Sequence, residues 1–168
     1  MLVLLPVLRV LHQQEAQVIR RVAALLEELA TGEGETNEHR DAAILLSLPG
    51  VGRKTATTML SEAYPAIAER DYHSFLLQCG VAPVTRNSGK KKVRLMRYAC
   101  NGRLRNAMHH WASESAQLDP RSQLYQQIRG RDKGYARALR GLGDRLIDVL
   151  FSMLRHRAMF DPQRRAAA

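Results

Sequence analysis

Cysteine is scarce in this sequence: Cys79 and Cys100 are the only two in 168 residues. Neither belongs to a Cys-x-x-Cys pair, so a disulfide framework is excluded and a reduced, cytoplasmic setting is expected. Aromatic residues are nearly as rare, at 5% of the chain, against 45% hydrophobic residues in all. The core must therefore be built from Leu, Val, Ala, Ile and Met, a palette that favours helices. Long hydrophobic runs are missing too. The opening MLVLLPVL gives eight residues before Arg9, has no basic residue ahead of it and contains Pro6. It is too short for a membrane span and poor as a signal peptide, so neither export nor a membrane partner is expected.

Acidic residues are absent where basic ones are densest. The stretch 79–105, CGVAPVTRNSGKKKVRLMRYACNGRLR, holds eight Lys or Arg residues and no Asp or Glu. The net charge of +10 is unevenly spread: residues 1–80 carry seven basic and ten acidic side chains, residues 81–168 nineteen and six. Clustered positive charge attracts nucleic acid by neutralising phosphates and releasing counterions. The plainer alternative is a solvated basic surface that keeps the protein soluble.

In chain order, Leu4, Leu8, Leu11, Glu15, Val18, Val22, Leu25 and Leu29 recur at alternating steps of four and three. This is a heptad seam with one polar interruption, expected to form a helix from about Pro6, in its first turn, to Ala30. The seam can pair with another copy in a homo-oligomer or pack on the protein's own core. Residues 31–38, TGEGETNE, lack apolar side chains and read as a linker. A short helix from about Asn37 is then cut by Pro49.

Leu48-Pro49-Gly50-Val51-Gly52-Arg53-Lys54 leads into a second apolar helix. Helix, Gly-x-Gly hairpin, helix is a DNA-binding arrangement, because glycines admit a phosphate close to backbone N–H groups at a helix start. Gly50, Gly52, Arg53 and Lys54 are candidate phosphate contacts, and a tight structural turn is the alternative. Tyr64-Pro65 is expected to end that helix, Asp71 to cap the next, and Gly80 to stop it. Turn chemistry at Asn87-Ser88-Gly89 suggests a loop or short β-hairpin, with helix resuming near Asn101. Leu104, Ala107, Met108, Trp111 and Ala112 share one helical face. Leu124 and Ile128 belong to a short helix broken around Gly130 to Gly134. A last helix turns Tyr135, Leu139, Leu142, Leu146, Val149 or Leu150, and Met153 inward. The tail 162–168 reads as disordered. The expected fold is mainly α: a coiled-coil helix over 1–30, then a compact helical domain over 39–161 containing the helix-hairpin-helix element and the short hairpin.

Taken in order, Leu48-Pro-Gly-Val-Gly, Cys-Gly-Val-Ala-Pro at 79–83, Asn-Ser-Gly-Lys-Lys-Lys at 87–92, Asn101 with Leu104-Arg105, and Phe160-Asp161 resemble one family. The resemblance is to the C-terminal domain of bacterial insertion-sequence transposases of the one-ten/one-sixteen/nine-oh-two type, RNA-guided recombinases. Where that family carries Lys-x-Gly-Asn, this chain has Tyr98-Ala99-Cys100-Asn101 and keeps only the asparagine. The resemblance implies that Ser88 is a nucleophile joining covalently to a DNA strand. It also implies an upstream nuclease-like domain whose four carboxylates bind magnesium; this chain then looks like a truncated transposase holding no cofactor of its own. DNA is the implied partner, a guide RNA a further one, and the location cytoplasmic, on the nucleoid when bound.

Arg86, Lys90, Lys91, Lys92, Arg94, Arg97, Asn101, Arg103 and Arg105 complete the set of candidate DNA contacts. Serine chemistry on a phosphodiester needs a hydroxyl, cations for the non-bridging oxygens and a proton acceptor. No Asp, Glu or His lies between His73 and His109, so the acceptor must come from elsewhere. Asn-Ser-Gly is also a common turn, which leaves a non-catalytic helix-hairpin-helix DNA or RNA binder as the alternative. His109 and His110 are adjacent on a helix and point apart, so no metal is assigned to them.

Overall fold

The structure is a computed structural model that describes residues 4–31, 37–89 and 91–163; for residues 37–39, 86, 91, 92, 94, 132 and 133 it describes the backbone alone. It is mainly helical, as the composition suggests. Among the described residues, seven helices and one hairpin follow in the order α1 (Leu4–Thr31), α2 (Asn37–Ser47), α3 (Arg53–Ala68), α4 (Tyr72–Gln78), β1 (Val84–Ser88), β2 (Lys91–Leu95), α5 (Gly102–Leu118), α6 (Pro120–Lys133) and α7 (Tyr135–His156). Most of the linker, residues 32–36, and of the tail, residues 164–168, lies outside the described residues, as does Lys90.

Helix α1 is an arm. Pro6 sits in its first turn, where a missing N–H costs nothing. Of the heptad seam, Leu4, Leu8, Leu11 and Val18 are exposed, Leu8 at 61%. Leu25, also on the seam, is exposed; the C-terminal end of the helix docks through Leu26, one position off the seam and 3% exposed, with Leu29 and Ala30 packed against the core.

The remaining helices close around a core whose largest buried side chains are Trp111, Phe75 and Phe151. The few aromatics are concentrated there: Phe75 and Phe151 meet edge-on with centroids 5.3 Å apart, and Tyr72 meets Phe151 at 5.7 Å. Trp111 donates its indole N–H to the carbonyl of Pro49 at 3.1 Å, fixing the α2–α3 turn to α5. Arg70 reaches Asp41 with two bonds of 2.6 and 2.8 Å, joining the end of α3 to α2. Asp41 is buried, so this pair neutralises a charge that the interior would otherwise leave exposed to low dielectric.

Caps fall where side-chain chemistry provides them. Asp71 accepts from Ser74 N at 2.9 Å, and Asp119 accepts from Ser122 N at 2.9 Å with Pro120 at the first helical position. Two expected breaks are refined, and one expected burial fails. The end expected at Tyr64-Pro65 appears as a kink just ahead of it: Ala63 is non-helical (φ −133°, ψ 21°), and a further helical segment carries α3 on to Ala68. The kink relieves the clash between the proline ring and the preceding turn, leaving Pro65 at the start of a fresh helical segment. The break expected around Gly130 to Gly134 falls at its far end: α6 runs to Lys133 and stops at Gly134, whose φ is +78°. Tyr135 is exposed, because the first turn of α7 overhangs the core and burial begins at Ala138.

Candidate nucleic-acid interface

The stretch that is richest in positive charge folds into the one pair of strands among the described residues. Strands β1 and β2 are antiparallel, with Val84 opposite Leu95, Arg86 opposite Val93 and Ser88 opposite Lys91. Gly89 turns the chain with φ +54°, a conformation that glycine adopts without steric cost. The period of two along a strand puts Val84 and Ser88 on one face, shared with Val93 and Leu95 across the pair. Ser88, Val93 and Leu95 are all exposed. The hairpin pairs with itself and has no substantial packing against any helix. Ser88 therefore stands at the far end of a two-stranded projection. The positions of Arg86, Lys91, Lys92 and Arg94 in the register are described, but their side chains are not, and Lys90 lies outside the described residues.

The foot of this hairpin is tied down firmly. Gly80 takes φ +70° after α4, and a Cβ there would meet Cys100 Sγ at 2.7 Å. The amide of Asn101 donates to the carbonyl of Gln78 at 2.8 Å, which closes the base of the loop. Cys79 is buried in this base, and burial pushes its thiol up to about 11. Arg97 is half-buried, and its Nε has no partner among the described residues.

Asn101 plays a part that the sequence reading missed. Its side-chain oxygen caps α5, accepting from Arg103 N at 2.9 Å and Leu104 N at 3.1 Å. Its Nδ2 donates to Glu62 of α3 at 2.6 Å, and Glu62 also accepts from Arg103 Nη1 at 3.1 Å. These hydrogen bonds, first from Asn101 and then from Arg103, hold the Glu62 carboxyl below its ordinary value. Asn101 thus spends its amide on the fold. An asparagine directly ahead of an apolar helical run is itself a capping signal, so this role was available to sequence reasoning.

The Gly-x-Gly turn is built differently at its two glycines. Gly50 has φ +78°, and a Cβ there would meet Ser115 N of α5 at 2.6 Å. Gly52 precedes α3 in extended conformation, with no side chain capping the helix and open space where a Cβ would stand. The first N–H groups of α3 are consequently left to solvent or to an anion. Lys54 is exposed beside them, whereas Arg53 pairs with Glu27 of α1.

The two candidate contacts are not brought together. Gly50 lies against Ser115, near the C-terminal end of α5, while Asn101 and the hairpin foot lie at its N-terminal end. Fourteen residues of helix separate Asn101 from Ser115, roughly 20 Å along the axis. Arg103 and Arg105 are grouped with the hairpin end. So is Arg140 of α7, whose Nη1 lies 3.9 Å from Met96 Sδ just past β2. Nothing in the local sequence tied Arg140 to residues 44 positions earlier.

Among the described residues, no group of three or more His, Cys, Asp or Glu side chains is placed to hold a metal ion, so these residues do not fit a magnesium site. No described helix is long and apolar enough to cross a membrane.

Residues 42–127, which include both glycine turns, the hairpin and the start of α6, match the family described as Transposase IS116/IS110/IS902. The chain belongs to this family. It is 34% identical over 134 residues to the mini-circle putative transposase for IS117 of Streptomyces coelicolor, covering 79% of this chain and 32% of that protein. It is 31% identical over 173 aligned positions to the insertion element IS900 uncharacterized 42 kDa protein of Mycobacterium paratuberculosis, covering 94% and 42%. An insertion element IS110 uncharacterized 43.6 kDa protein of Streptomyces coelicolor is 29% identical over 161 residues, covering 92% and 36%. The chain thus spans roughly a third to two fifths of the length of these relatives.

Proposed function

We propose that the chain is the serine-bearing, DNA-binding part of an insertion-sequence transposase, with Ser88 as its nucleophile. The observation that carries this reading is the placement of Ser88, exposed at the end of a self-supporting hairpin, with Lys91 as its register partner, in the segment matched to the family. In the step itself, Ser88 Oγ forms a bond to phosphorus, the bond from phosphorus to one strand oxygen breaks, and the serine proton ends on that departing oxygen. Lys and Arg side chains of the hairpin stabilise the charge that gathers on the non-bridging oxygens. None of the described residues bonds to the Ser88 hydroxyl as a proton acceptor, and none supplies a metal site. The chain alone is therefore assigned DNA binding with little or no turnover. Reaction requires the family's upstream nuclease-like domain, magnesium and, by the same resemblance, a guide RNA. The exposed seam of α1 serves oligomerisation with further copies.

The test joins the upstream domain of a relative to this chain and offers suicide DNA. A phosphoserine adduct at Ser88 is expected in wild type and none in Ser88→Ala. No adduct in wild type, or an undiminished one in the variant, overturns the assignment. A second reading, a non-catalytic DNA or RNA binder, is supported by the lack of a proton acceptor beside Ser88; in that case DNA is bound and never joined.

A further inference from the structure

A cavity of about 210 Å³ opens at the hairpin foot, between α5, α7 and the segment that follows α4. Val81 and Met96 form its accessible apolar walls, with Met108 and Leu139 buried behind them. Its polar groups come from two elements: Arg105, Asn106 and His109 lie within four residues on α5, and Arg140 comes from α7. No Asp or Glu lines it. The Asn106 side chain is exposed and makes no hydrogen bond among the described residues, leaving both a donor and an acceptor. Gly143 keeps the cavity open: it is buried on the wall, and a Cβ there would meet only Val81 Cγ2, at 3.9 Å.

We infer that this cavity receives one unstacked nucleobase of the bound DNA. The size favours this occupant, since clefts for drug-sized ligands run from roughly 300 to 1,000 Å³. So does the lining. A phosphate would leave its oxygens against Val81 and Met96, whereas a base lays its flat faces on apolar and thioether surface and turns its edge to Asn106. The Arg140 guanidinium, beside Met96 Sδ at 3.9 Å, is a planar cation suited to stacking at the mouth. Extruding a base is cheapest where the duplex is already interrupted, so the cavity selects DNA with an unpaired nucleotide. Five-residue strands place Ser88 roughly 15 Å from this foot, or about four stacked nucleotides along a strand. The inference rests on the DNA-binding reading of the chain but not on serine chemistry.

The experiment measures affinity of the full chain for a short duplex with a single bulged 2-aminopurine and for the same duplex fully paired. Wild type is expected to bind the bulged duplex about fivefold or more tighter and to change the fluorescence of the bulged base. Asn106→Ala and Gly143→Leu should abolish that preference while leaving affinity for the paired duplex and its salt dependence unchanged. Asn106→Ala removes no packing, so it decides the matter if the larger side chain at 143 unfolds the protein. Equal binding of both duplexes by wild type, or a preference that survives both substitutions, overturns the pocket and leaves DNA binding standing. No binding to either duplex at low salt overturns both readings together.

Discussion

At the scale of single residues, the two glycines of the α2–α3 turn separate folding from binding. Gly50→Ala must move backbone atoms of α5 and hold a left-handed φ, so it should lower stability by at least about 2 kcal/mol. Gly52→Ala meets open space at an ordinary φ and should cost about 1 kcal/mol or less, as a weaker helix cap. Urea denaturation of the two variants separates them. Glu62 makes a second residue-level test. Its folded pKa lies below the ordinary 4.5, so its contribution is complete above about 4.5 and is lost as pH falls through the folded value. Wild type should therefore lose stability on acidification more steeply below that point than Glu62→Gln, measured by thermal melts across the acid range. Asn101→Ala, which removes the strongest of these hydrogen bonds, should flatten the same limb. The sequence marked Asn101 as important but did not show its tie to Glu62, which stands 39 residues away with no local pattern connecting them.

Among the elements, those whose burial follows a simple period were legible. The apolar face of α5 and the Leu139, Leu142 and Leu146 stripe of α7 are buried as their spacing implies. The hairpin followed from the Asn-Ser-Gly turn between alternating residues. What failed was decided by tertiary context. The break at Tyr64-Pro65 was foreseen, but not that it would be confined to one distorted residue, Ala63, with helix resuming beyond it to Ala68. Tyr135 continues the apolar stripe of α7 in sequence, but no neighbouring element extends far enough to cover it. Helix α1 packs on the core only at its C-terminal end, through Leu26 beside the seam and Leu29 on it, while Leu4, Leu8, Leu11 and Val18 stay exposed. The two parts should respond differently to substitution. Leu26→Ala should cost about 2–5 kcal/mol of stability. Leu8→Glu combined with Leu11→Glu should leave the melting temperature within a few degrees of wild type and shift the oligomer towards monomer in sedimentation. Unchanged sedimentation would remove α1 as the oligomerisation element.

For the whole molecule, charge asymmetry is the property most open to direct measurement. With nineteen basic side chains against six acidic ones after residue 80, contact with about six phosphates is expected. Log affinity should then fall against log salt with a slope of about −5. A flat response would reject nucleic-acid binding altogether. That asymmetry was plain from the sequence. The separation of the Gly-x-Gly turn from the hairpin by the length of α5 was not, because it depends on how α3 and α5 lie against each other.

The hairpin makes its hydrogen bonds within itself and draws almost nothing from the helices. The core, in turn, places almost no demand on what the hairpin contains beyond Gly80 and the residues that anchor its foot. Residues 84–95 behave as an exchangeable cartridge. Replacing them with the equivalent strands of a relative should leave the melting temperature nearly unchanged, as surface substitutions usually alter stability by no more than about 0.5 kcal/mol each. The salt dependence of DNA binding, by contrast, should change with the number of Lys and Arg residues in the insert. A domain built this way can alter what it holds out to a ligand without first rebuilding the scaffold behind it.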